Sequence, residues 1–158
     1  MPICFKIKEY FMPKSVLLFD GVCNLCNSSV QFVLKRDKRK YFKFAALQSN
    51  SGQELLKQFD LPVNNFTSFV LIENDKIYLK STAALQVAKR LGGVWSLLFI
   101  FIIIPSPIRD FVYNLVAKNR YKIFGKRESC MLPTPDVKER FLWLGVIRVL
   151  YWNTFKSF

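Results

Sequence analysis

Four consecutive apolar residues, Val16-Leu17-Leu18-Phe19, are cut off at once by Asp20-Gly21, and the pair Cys23-Asn24-Leu25-Cys26 follows immediately. A short continuous apolar run of this kind makes a strand buried on both faces, and Asp-Gly makes a tight turn. From Asn24 onward Val30, Val33 and Leu34 recur at helical spacing, until the charged run Lys35-Arg36-Asp37-Lys38-Arg39-Lys40. The segment therefore reads strand, turn, helix. A strand apolar on both sides must be covered on both sides, which points to an α/β fold rather than a bundle or a sandwich.

The rest of the chain extends the same pattern. Tyr41 to Leu47 reads as a second strand, and Ser51 with Glu54 three residues later forms a capping-box pattern for a short helix reaching Phe59. Ser68 to Ile72 and Ile77 to Leu79, on either side of Glu73-Asn74-Asp75-Lys76, read as an antiparallel hairpin. A helix over Thr82 to Leu91 follows, with Ala83, Ala84, Val87 and Ala88 on a small-residue face and Gly92-Gly93 as its stop. The order βαβα then ββα predicts a mixed four-stranded sheet flanked by helices.

Val94 to Ile104 is the most apolar stretch, shorter than the ~20 residues a helix needs to span a bilayer, and reads as a buried core helix. Ser106 and Pro107 suit the cap and first position of a further helix, with Phe111, Val112, Leu115 and Val116 on one side and an end near Gly125. These are extra C-terminal helices on the sheet domain. The predicted organisation is an arm over residues 1–14, a redox domain over 15–133 and an aromatic, helical tail over 134–158. From Glu139 onward that tail has little room for a polar face, so it must pack on its own domain, on a second copy, or on a membrane surface beside Arg140, Arg148 and Lys156.

Composition then narrows the chemistry. The chain has no histidine, which removes Ser-His and Cys-His nucleophile pairs and imidazole-ligated metals. Its four cysteines are Cys4, Cys23, Cys26 and Cys130, and Lys and Glu interrupt the apolar run a secretory signal would need at the start. The expected setting is cytoplasmic and reducing, where a close cysteine pair is catalytic or metal-binding more often than a structural bridge. The net charge of +13 suits an anionic partner, but no nucleic-acid-binding module is visible and nucleic acid is not the expected one.

Cys23 falls where the first strand turns into the first helix. There the helix dipole and unpaired backbone amides stabilise a thiolate, and Cys26, one turn on, can reach back. The pattern predicts thiol–disulfide exchange with a protein or low-molecular-weight partner: Cys23 attacks and Cys26 resolves. Zinc is the competing use of such a pair, yet a closed site needs four ligands and only Cys4 and Cys130 remain, neither in a second Cys-x-x-Cys. No metal or cofactor is expected. Asp20 either accepts a thiol proton during exchange or simply makes the turn. An apolar strand ending in Asp also opens phosphotransferases of the haloacid dehalogenase type, but the second Asp they carry two positions on is Val22 here. The alternative to an enzyme is a non-catalytic binding module that uses its basic and aromatic surface on a membrane or partner protein.

Leu18-Phe19-Asp20-Gly21-Val22-Cys23-Asn24-Leu25-Cys26 resembles the opening motif of the DCC family of predicted thiol-disulfide oxidoreductases, whose hallmark is Asp-Gly-x-Cys-x-x-Cys. A second matching block holds Arg109-Asp110, Tyr113, Asn119-Arg120-Tyr121 and Phe124-Gly125-Lys126-Arg127, then Cys130 and Pro133. The resemblance implies a thioredoxin-like fold and a redox role for Cys23 and Cys26, with Asp20 in the same motif. Thioredoxin-like proteins usually place a cis proline before the strand facing the pair. Here that position is Thr67 or Ser68, and a hydroxyl there could contact Cys23 instead. Arg120, Tyr121, Lys126 and Arg127 are either a patch that stabilises a thiolate or anionic substrate, or a solvated helix end whose cations complement its dipole. Cys130 is either a third redox thiol or a buried small apolar residue.

Overall fold

The computed structural model describes residues 15–64, 68–128 and 134–142, so the expectations for Cys4, Thr67, Cys130 and the tail beyond residue 142 lie outside the described residues. Strand β1 (Ser15–Phe19) leads into helix α1 (Asn24–Arg36), strand β2 (Lys43–Ala46) and helix α2 (Asn50–Gln58). The hairpin β3 (Val70–Glu73) and β4 (Lys76–Leu79) then runs into α3 (Lys80–Leu91), a 3-10 helix over Gly93–Ile103 and α4 (Ser106–Phe124).

The sheet order is β2-β1-β3-β4. β1 and β2 are parallel, with Leu17 beside Phe44 and Phe19 beside Ala46, and are joined by the crossover helix α1. β3 runs antiparallel to β1, with Leu17 beside Leu71, and pairs with β4 in turn. This arrangement is the thioredoxin-like fold that the motif implied.

Alternation along β1 builds two cores. Leu17 and Phe19 join Phe42, Phe44, Val30, Val33, Ala83 and Val87 under α1 and α3, whereas Val16 and Leu18 join Ala45, Leu55, Leu56, Val70 and Ile72 under α2. Both faces are covered, which is why β1 reads as continuous apolar rather than alternating. Truncating a fully buried ring such as Phe44 to alanine is expected to cost about 3–5 kcal/mol.

Three local expectations need correction. The N-cap of α2 is Ser49, not Ser51: its hydroxyl accepts from Gly52 N at 3.0 Å and donates to Ala46 O at 2.7 Å, while Ser51 is buried. The reason is a close approach, since a Cβ on Gly52 would lie 2.1 Å from the Ala46 carbonyl oxygen, so α2 must start where a glycine meets β2. The second strand starts at Lys43 rather than Tyr41, because the Asp37 carboxylate takes the amides of Tyr41 and Phe42 at 3.1 and 3.0 Å.

The third concerns residues 93–103, which are not a buried core helix. Ser96, Phe99 and Ile102 alone in this element are half-covered, at the i, i+3 spacing on which 3-10 side chains eclipse. That stripe packs mainly on α3, the Trp95 ring stands edge-on to Phe32 of α1 at 4.7 Å, and most of the remaining side chains stay exposed.

Near the other sheet edge, Lys138–Arg140 form one 3-10 turn and Phe141 continues extended beside Phe44. Its ring is buried edge-on against Phe19 at 6.2 Å.

Candidate active site at the Cys23–Cys26 pair

β1 delivers Asp20 and Cys23 to its carboxyl end, where Asn24 begins α1. Cys23 is the N-cap residue, in extended conformation, and its side chain makes no cap hydrogen bond. Its sulfur thus stands at the position from which a Ser or Asp would accept the amides of the first turn. Cys26 occupies the third helical position, from which a capping-box residue reaches back to the cap. The Cys-x-x-Cys spacing is in effect a capping box built of two thiols, and both are free.

The two sulfurs are not equivalent. Cys23 has no exposed surface, while Cys26 is half-buried. Burial pushes the Cys26 thiol up to about 12, helped by the negative charge of Cys23 and by its hydrogen bond to Cys23; Arg120 opposes the rise and Asp20 adds to it. Cys26 therefore keeps its proton and directs it toward Cys23.

Asp20 is buried and accepts four hydrogen bonds. Oδ1 takes Val22 N at 3.1 Å and Gln48 Nε2 at 2.7 Å; Oδ2 takes Arg120 Nη2 at 2.8 Å and the Tyr121 hydroxyl. A carboxylate offers about four lone-pair sites, so every acceptor site is filled. Asp20 does make the turn, through Val22, and it also ties α4 to the strand that carries the cysteines. Burial, followed by the hydrogen bond to Asp20, raises the Tyr121 hydroxyl above its ordinary range.

Arg120 is 3% exposed and ion-paired to Asp20, so the solvated-helix-end reading fails for it. The reason lies in the packing of α4: Arg120 is on the side turned toward α1, while Lys118 and Lys122 face outward. Arg127 is exposed, and its Nε donates to Asn24 Oδ1 at 3.0 Å. The same segment straps the pair. Arg127 N donates to Val22 O at 2.7 Å, Asn24 N to Gly125 O at 3.4 Å, and Lys126 bridges to Cys23. Gly125 turns the chain with φ +82°, which a side chain would oppose.

Ser68 is half-buried in the approach to β3, and the next amide, Phe69 N, donates to the Tyr113 hydroxyl at 2.9 Å. Tyr113, Phe69, Cys26 and Arg120 border a cavity of about 490 Å³ running between α1, α3 and α4, walled almost wholly by apolar surface. Among the described residues no three His, Cys, Asp or Glu side chains gather as a metal site would require.

Gln48 and Asn24 are site residues that the sequence reading missed. Gln48 also accepts Gly21 N at 3.0 Å, and Asn24 donates to Phe124 O at 2.8 Å. Asn24 sits inside the motif and could have been noticed there. Gln48 lies just past a strand end with no local signal of its own.

The family of DCC1-like thiol-disulfide oxidoreductases matches residues 17–126, spanning both the cysteine pair and the Arg120–Lys126 segment folded onto it. The chain belongs to this family. Among curated proteins it is 55% identical over 131 residues to the uncharacterized protein YuxK of Bacillus subtilis (strain 168), covering 83% of this chain and 96% of that one. It is 42% identical over 120 residues to the DCC family protein At1g52590, chloroplastic, of Arabidopsis thaliana, covering 75% and 70% respectively. No solved structure matches the chain significantly.

Proposed function

We propose that the chain catalyses thiol–disulfide exchange with a protein or low-molecular-weight partner, Cys23 attacking and Cys26 resolving. The observation that carries this reading is geometric: Cys23 caps the first turn of α1, and Cys26, one turn on, hydrogen-bonds to it while burial raises the Cys26 thiol. The sulfur at the helix cap is then the attacking one, placed where the first-turn amides and the helix dipole favour negative charge. It attacks one sulfur of the partner disulfide, forming a mixed disulfide and releasing the other as a thiolate. Cys26 loses its proton to that leaving group or to solvent and attacks the Cys23 sulfur. The partner's second thiolate departs, and the Cys23–Cys26 bridge remains.

Because Cys23 is fully covered, a partner reaches it when the 125–127 strap moves aside. Two main-chain hydrogen bonds, from Arg127 N and Asn24 N, hold the strap to the motif. Asp20 acts as a positioning residue, since its four acceptor sites are filled and none is left for a thiol proton. It holds Arg120 at the pair, where the guanidinium opposes the rise of Cys26.

The test is the Cys26→Ser protein. Incubated with a disulfide substrate, it should accumulate a mixed disulfide at Cys23 that dithiothreitol releases, while Cys23→Ser forms none. Absence of any adduct at Cys23 would overturn this assignment of roles.

A further inference from the structure

Residues 93–104 and the outward side of α4 form a continuous apolar ridge that no described residue covers. Ile100 is 65% exposed, Ile103 78% and Phe111 70%, with Leu97, Ile108 and Leu115 also above half. A soluble monomer rarely leaves so long an apolar surface in water. The two helices meet at 119°, and neither is long and apolar enough to cross a bilayer by itself. Taken together across the bend the pair is long and apolar enough to enter a bilayer, so the ridge suits contact with a membrane, lying in its interface or dipping into it at the bend.

Charge selects the occupant. No charged residue interrupts residues 91–108, while Lys89, Lys118, Lys122 and Lys126 stand exposed around the ridge. Lys89 Nζ sits 4.4 Å from the centre of the Phe99 ring, so an apolar side chain and a cation share one border. A second copy docked face to face would bring these cations together. An anionic headgroup layer would neutralise them.

We propose that this ridge is a membrane-docking surface whose partner is an anionic lipid bilayer. Docking does not depend on the exchange chemistry, but it would place that chemistry at the interface: Trp95, Leu98 and Val116 belong both to the ridge and to the wall of the cavity beside Cys26.

Flotation of the reduced full-length chain tests this, using phosphatidylcholine vesicles with and without phosphatidylglycerol at roughly three parts to one. Binding should appear on the anionic vesicles and fall as salt is raised to roughly 0.5 M. The double variant Ile100→Glu with Phe111→Glu should float at least about tenfold less while keeping the circular dichroism of the parent. Lys118→Glu with Lys122→Glu leaves the apolar ridge intact, so it separates charge from folding and should lose the anionic preference. The proposal is overturned if the parent binds neither vesicle, or if all four substitutions leave flotation unchanged. It is equally overturned if Leu144→Glu in the tail abolishes binding while the ridge variants do not, or if the ridge variants instead dissociate a dimer that never floats.

Discussion

Two buried Asp–Arg pairs join residues 100 and 103 positions apart, Asp20 with Arg120 and Asp37 with Arg140, yet they serve different ends. Asp37 spends its oxygens on the amides of Tyr41 and Phe42, and Arg140 also reaches the carbonyls of Phe42 and Leu34. That pair fastens the segment before Phe141 to the start of β2. Asp20 instead gathers the side chains of Gln48, Arg120 and Tyr121 beside two thiols. Burial of an ion pair is thus no marker of function. What distinguishes the first pair is that its charges reach a titrating sulfur.

The largest expected effect is shared by both pairs. Arg120→Ala and Arg140→Ala each leave a buried carboxylate without its cation, and each should lose about 3–5 kcal/mol in urea unfolding. Only Arg120→Ala should also change the exchange rate at a temperature where both variants are folded. An equal loss of rate in Arg140→Ala would erase the comparison.

The dithiol has its own stability signature. The folded protein holds the Cys26 thiol up to about 12 against an ordinary 9.0, so between those values the folded state keeps a proton that the unfolded chain has released. Stability contributed by Cys26 is therefore fully present below about 9.0 and is lost as pH rises toward about 12. Cys26→Ser should flatten that part of the alkaline fall, measured by urea unfolding under reductant.

Asp20→Asn and Asp37→Asn sharpen the contrast, each keeping the side chain's shape but leaving a buried guanidinium without its anion, at about 3 kcal/mol, the lower end of that range. Asp20 raises the Cys26 thiol, so Asp20→Asn should bring its titration down from about 12, read by alkylation rate against pH, whereas Asp37→Asn should leave it in place. Smallest is Tyr121→Phe, which removes one hydroxyl from Asp20 and should cost about 1 kcal/mol, with a slight change in the alkylation profile.

What could be read from the chain was what neighbours decide. The apolar run before Asp20-Gly21, the Cys-x-x-Cys spacing and the polar turn Glu73-Asn74-Asp75-Lys76 are local patterns, and they placed β1, the helix start and the hairpin, though β3 starts only at Val70, and Glu73 and Lys76 pair within the strands. The partners of Asp20 come from α4 and from Gln48, and no periodicity links them to it. Asp37 read only as one member of the charged run that ends the helix, but its carboxylate takes the amides that lead into β2. Residues 93–104 mark the opposite limit. Hydrophobicity states how strongly a side chain prefers to leave water, and not which surface will receive it.

The central claim is most directly tested by titrating the reduced protein with oxidised glutathione and mapping the product by mass spectrometry. Loss of two hydrogens, localised to a Cys23–Cys26 peptide and restored by reduced glutathione, is the expected result. Persistence of both free thiols under oxidising conditions, or bridges that run from either cysteine to Cys4 or Cys130 instead, would contradict it.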